Sequence, residues 1–207
     1  MSIHLYKGDL PAGLDLGKTI AIDTETMGLN PARDRLCLVQ ISAGDGVSHL
    51  VQIPKGEPGR LHVAPRLKAV LEDPNVLKIF HFARFDLAAL KAYLGAVVRP
   101  VYCTKIASKM TRSYTDRHGL KDLCKELLEV ELSKQQQSSD WGNAELTEDQ
   151  LRYAASDVLY LHRLKAKLDV LLEREGRSAL AAACFEFLPT RAALDLLGWE
   201  EPDIFAH

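Results

Sequence analysis

The run Ile20-Ala21-Ile22-Asp23-Thr24-Glu25 is short, apolar and β-rich, and it ends in two acids. Read as a strand, its period of two puts the Asp23 and Glu25 carboxylates on one face, about 7 Å apart along the chain. That spacing suits two oxygens bound to one divalent ion. Strand ends and turns also carry such acids for structural reasons alone, so the meaning of this pair depends on what the chain brings beside it.

Working outward, Leu36-Cys37-Leu38-Val39-Gln40-Ile41 and Val47 to Ile53 read as strands joined by Ala43-Gly44-Asp45-Gly46, a hairpin signal. Val76 to Phe80, introduced by Asp73-Pro74-Asn75, makes a fourth strand, and Val97 to Cys103 a fifth. Helical patterns fill 64–72 and 85–94. The second half is almost entirely helical. Leu120, Leu123, Cys124, Leu127 and Leu128 recur at helical spacing. Thr147-Glu148-Asp149-Gln150 reads as a capping box, and an apolar stripe follows from Leu151 through Val158 and Leu164 to Leu171. A last helix is predicted from about Ser178 towards Gly198, broken or kinked at Pro189. This order predicts an α/β fold, a mixed five-stranded sheet flanked by helices, in one domain spanning 1–207.

Composition narrows the function classes. Of 207 residues, 26 are Lys or Arg and 28 are Asp or Glu, a net charge of −2, with 47% hydrophobic and 26% charged residues. These values exclude a disordered acidic tail, a collagenous repeat and a uniformly basic nucleic-acid binder. Charge is uneven, however. From Arg99 to Lys125 there are seven bases (Arg99, Lys105, Lys109, Arg112, Arg117, Lys121, Lys125) against Asp116 and Asp122, a local +5. Solvated helix faces account for most such runs, but a phosphate-facing wall is the alternative. Cys37, Cys103, Cys124 and Cys184 include no C-x-x-C pair and are expected to be free thiols in a reducing compartment. The early charge and glycine at the start give no signal-peptide pattern, and no apolar run approaches a membrane span, so the expected location is cytoplasmic.

Two further acidic motifs join the first. Asp86 follows the fourth strand at the start of a helix, where an acid would by itself serve the helix N-terminus. Tyr153 and Asp157 stand four apart on the capped helix, so hydroxyl and carboxylate converge on one face. An acid inside an apolar helix is costly to bury without a partner. Four carboxylates brought together (Asp23, Glu25, Asp86, Asp157) would repel and raise one another's pKa, and divalent cations resolve that conflict. Hard oxygen donors without a Cys or His cluster indicate Mg²⁺ or Mn²⁺. Two such ions, about 3.5–4 Å apart, are the usual device for in-line phosphodiester cleavage.

The order D-x-E, then D, then Y-x-x-x-D resembles the DEDDy group of 3′–5′ exonucleases, with a ribonuclease-H-like fold. The strings around Asp23-Thr24-Glu25-Thr26, Leu36-x-Leu38-Val39-Gln40-Ile41 and Tyr153-Ala154-Ala155-Ser156-Asp157 resemble the ribonuclease D family. In the second motif, His81-Phe82-Ala83 stands where that family more often has Asn in the middle. Cys103 to Lys109, Tyr114 to Lys121, Lys134 to Trp141 and the ending Asp203-Ile204-Phe205-Ala206-His207 are similar to the nano-RNase C family.

The resemblance implies exonucleolytic cleavage of very short single-stranded RNA, dinucleotides above all, to 5′-mononucleotides, and a ring-like homo-oligomer such as an octamer. It implies that Asp23, Glu25, Asp86 and Asp157 hold two ions and that Tyr153 orients the attacking water. Thr24, Met27 and His81 are the expected substrate neighbours at the site, with Arg112, Arg117, His118 and Lys121 as phosphate contacts. Two alternatives stand beside this reading: trimming of longer RNA 3′ ends in the ribonuclease D manner, and an inactive scaffold that keeps the fold for assembly.

Overall fold

The computed structural model describes residues 2–57, 59–133, 136, 138–201 and 203–205; Lys134, Gln135, Gln137, Ala206 and His207 of the quoted motifs lie outside them. Six strands and seven helices follow in the order β1 (Ser2–Lys7), β2 (Thr19–Thr26), β3 (Leu36–Ser42), β4 (Val47–Gln52), α1 (Pro65–Glu72), β5 (Leu77–Phe80), α2 (Ala83–Leu94), β6 (Val101–Cys103), α3 (Thr104–Thr111), α4 (Leu120–Leu128), α5 (Glu148–Leu159), α6 (Leu161–Arg174) and α7 (Ser178–Leu196). One sheet runs β1-β4-β3-β2-β5-β6. β2, β3 and β4 pair antiparallel, whereas β1 on β4, β5 on β2 and β6 on β5 are parallel.

The expected mixed sheet is present, but with six strands instead of five. The additional strand is β1, whose pairing partner is β4, some 45 residues on, so that no local turn announces it. The Tyr6 hydroxyl lies 3.1 Å from His49 Nδ1 across that pair. β3 is buried along its whole length, as a strand covered on both faces must be. Leu38, Gln40, Ser48 and Leu50 turn towards α5, where the Ser48 hydroxyl bonds the Ala155 carbonyl at 3.3 Å. Alternation sends Val39, Ile41 and Val51 to the other face, into the core shared with α1 and α2.

Three local expectations are refined. The β3–β4 hairpin forms, with Gly44 and Gly46 at positive φ; a Cβ on Gly44 would also stand 2.9 Å from the His162 ring. The apolar stripe behind the capping box is two helices, divided at Tyr160. Pro189 does not end the last helix, which runs on to Leu196 with Phe185, Leu188 and Ala192 buried on either side of the proline. Packing of α7 against α2 outweighs the one missing backbone donor. The four cysteines are free thiols, Cys184 exposed and the other three buried. Among the described residues no helix is long and apolar enough to cross a membrane.

Candidate active site

β2 is central in the sheet, and its last turn of alternation sends Asp23 and Glu25 to the α5 face and Thr24 to the opposite one. α5 starts at the capping box of Thr147 and Gln150, each side chain satisfying the other's backbone N–H, which fixes where the helix begins. From that start Tyr153 and Asp157 fall on the turns facing β2. Carboxylate oxygens of Asp23, Glu25 and Asp157 lie within 4.8 Å of one another. Asp86, in the first turn of α2, is buried beside Asp23 and accepts a 2.6 Å hydrogen bond from the Thr24 hydroxyl.

The electrostatics follow from this crowding. Burial pushes the Asp23 carboxyl up to about 7. Burial, reinforced by the charges of Asp23, Asp157 and Asp86, pushes Glu25 up to about 10. Asp157 and Asp86 are likewise held well above the usual carboxylate range, by burial first and Asp23 second. Tyr153 donates towards Asp157, and burial together with the neighbouring carboxylates keeps its phenol protonated. A site that holds its acids so unfavourably alone is one that fits hard divalent cations; the donor set is all oxygen.

Sequence reasoning missed one contributor. Gln40 stands directly opposite Asp23 in the β2–β3 register, fully buried, with Nε2 3.3 Å from Asp23 Oδ2 and 3.4 Å from Glu25 Oε1. The signal was available: Gln40 is the one amide in an otherwise apolar strand core.

The acids open into a cleft of about 750 Å³. Thr24, Met27, His81 and Lys121 line it, with Phe82, Lys105 and Trp141. His81 Nδ1 lies 2.9 Å from the Thr104 hydroxyl, and burial lowers its pKa to about 3, so the ring is neutral. The loop carrying Trp141 is tied down by Gln150 to Ser139 and Asp140, by Arg35 to the Gly142 carbonyl and by Gln52 to the Asn143 carbonyl. Trp141 then packs against Tyr153 with the rings tilted by 37° and their centroids 6.0 Å apart.

The basic stretch does not form one wall. Arg112 is fully buried, bound through two guanidinium nitrogens to Glu126 and through a third to the Ser108 hydroxyl and the Arg117 carbonyl. Its donors are committed to holding the 112–119 loop, and it does not line the cleft where a phosphate contact was expected of it. His118 closes the same network on Ser108 at 2.8 Å, and neither it nor Arg117 lines the cleft. Of the seven bases only Lys105 and Lys121 reach it, among the described residues.

Known proteins resemble this chain in sequence and in fold. Residues 10–173 match the 3′–5′ exonuclease family. A ribonuclease D from Gluconacetobacter diazotrophicus is 35% identical over 158 residues, 76% of this chain and 39% of that protein; the chain spans about two-fifths of the length of the curated relatives it matches. Brucella melitensis NrnC with bound Mg²⁺ is 57% identical over all of both chains, with a TM-score of 0.93. NrnC of the same organism bound to pGG is 58% identical over 100% of this chain and 99% of that one, with a TM-score of 0.94. Escherichia coli RNase D is 29% identical over 84% of this chain and 45% of its own, with a TM-score of 0.71.

Proposed function

This chain belongs to the 3′–5′ exonuclease family, and from that premise we propose that it hydrolyses very short RNAs from the 3′ end, dinucleotides above all, to 5′-mononucleotides. The observation that carries the reading is the carboxylate trio at the floor of a walled cleft of about 750 Å³. A cleft of this size accommodates a compact ligand, and among the described residues it offers Lys105 and Lys121 for phosphate. The pGG held by the Brucella relative supports the same substrate length.

Asp23, Glu25 and Asp157, with Asp86 beside them, are the residues that would hold two ions, Mg²⁺ or Mn²⁺. When bound, the ions supply charge neutralisation, a more acidic water and a stabilised leaving oxygen. The chain's own groups do the positioning. Gln40 holds the Asp23 and Glu25 carboxylates from the strand side. Tyr153, kept protonated, donates beside Asp157 where an attacking water is to be oriented. Lys105 and Lys121 offer positive charge to phosphate oxygens, and Thr24, Met27 and His81 border the bound nucleotide. Leu197, Trp199, Ile204 and Phe205 are exposed apolar residues at the C-terminal side, which supports assembly with further copies of the chain.

Initial rates on 5′-phosphorylated RNAs of two to seven nucleotides, with Mg²⁺ and with EDTA, test this reading. The dinucleotide is expected to be cleaved fastest, and only with the ion. Equal or faster cleavage of longer RNAs points to ribonuclease D-like trimming instead. No Mg²⁺-dependent release at any length leaves the scaffold.

A further inference from the structure

Phe82 breaks two local preferences at once. It occupies the left-handed region, with φ 66° and ψ 46°, which bulky side chains rarely enter and Asn or Gly enter readily. It also sits at the N-cap of α2, where Asn, Asp, Ser or Thr would satisfy a free backbone donor, and it makes no such bond. The other non-glycine residue at positive φ among those described, Glu129, ends α4, where such a conformation is ordinary. Phe82 has no such reason, and core packing does not supply one, since the residue is 46% exposed.

What the conformation achieves is placement. The ring lines the same cleft as Asp23, Glu25 and Asp157. Lys105, also in the cleft, sets its ammonium 4.0 Å from the ring centroid, a cation–π contact that steadies the ring. We propose that Phe82, braced by Lys105, is the stacking platform for a nucleobase of the bound RNA. Its strained backbone is retained because a polar N-cap residue there would leave the base without a π-face. Strain held at a binding site in this way is a recognised pattern, and aromatic stacking accepts any base. The inference rests on the functional reading above and names Phe82 as a substrate-positioning residue of that site.

The test is steady-state kinetics in Mg²⁺ on a 5′-phosphorylated RNA dinucleotide and on its analogues with one base removed from either nucleotide, together with melting curves. F82N suits the backbone, so its melting temperature is expected to hold or to rise by about 2–4 °C. Its KM for the dinucleotide is expected to rise about tenfold, with kcat within about twofold. F82Y keeps a π-face and is expected to restore KM. For the analogue that lacks the stacked base, wild type and F82N are expected to converge. Wild-type turnover with unchanged KM in F82N, or a KM difference that persists on both base-lacking analogues, overturns the inference alone. A wild type without Mg²⁺-dependent hydrolysis overturns the functional reading, and this inference with it.

Discussion

Gln40 and Asp23 face each other across the β2–β3 pair, the amide nitrogen 3.3 Å from the carboxylate oxygen, in a strand whose every residue is buried. The amide has two donors and divides them between Asp23 and Glu25. It therefore sets the orientation of both acids before any ion binds. Q40L removes these donors and keeps an apolar side chain of similar size. We expect a loss of about 10–100-fold in kcat/KM and a higher Mg²⁺ requirement, with an unchanged circular dichroism spectrum. An Mg²⁺ titration identical to that of the wild type would contradict the assignment.

The acidic cluster predicts an unusual stability profile without metal. Asp23 is raised to about 7 and Glu25 to about 10, whereas both titrate near pH 4 in an unfolded chain. A carboxyl raised on folding contributes stability that is complete below its unfolded pKa and is lost as pH rises through its folded pKa. In EDTA the melting temperature should thus fall from about pH 4, where both groups ionise in the unfolded chain, up to about pH 10, the Asp23 share being lost by about pH 7 and the Glu25 share by about pH 10. Mg²⁺, which binds the ionised carboxylates, should raise it more at the alkaline end. A flat EDTA profile over that window would count against the cluster as drawn.

Arg112 and Lys121 should separate cleanly. R112M removes a buried guanidinium paired with a partly exposed Glu126 and is expected to cost about 1–3 kcal/mol in urea unfolding, with KM unchanged. Lys121 is an exposed residue that lines the cleft, so in K121M stability should hold while KM rises and loses part of its salt dependence. The opposite pattern in either variant refutes the division of labour.

Lys78 is fully buried at the start of β5, its ammonium 2.7 Å from the Asp73 and Val76 carbonyls and also bonded to that of Arg99. Three donors meet three acceptors, and they tie the 73–76 turn and the start of β6 to the strand that leads to His81 and Phe82. K78M orphans these carbonyls and should lower stability by about 2–4 kcal/mol, measured by urea denaturation.

For assembly, light scattering at micromolar concentration should give a mass several times that of one chain. W199E with F205E should shift it towards the monomer. A monomeric wild type removes the ring.

What could be read from the chain alone was whatever local periodicity encodes. Period two in β2 aligned Asp23 with Glu25, and period 3.6 in α5 aligned Tyr153 with Asp157, because neighbours on one element share a face whatever else the fold does. The hairpin turn and the capping box were legible for the same reason, being satisfied within a few residues. The sheet's sixth strand, the role of Gln40 and the destination of Arg112 were not. β1 depends on a partner about 45 residues away, Gln40 on the register between two strands, and Arg112 on which of several acids its long side chain reaches. Phe82 shows the division most sharply. The letters His81-Phe82-Ala83 placed an aromatic residue near an acid, but only the tertiary structure shows its backbone in the left-handed region and its ring in the cleft. The sequence determined the chemistry available. Tertiary structure decided which side chains were left free to use it, because that depends on which partners long-range pairing brings within bonding distance.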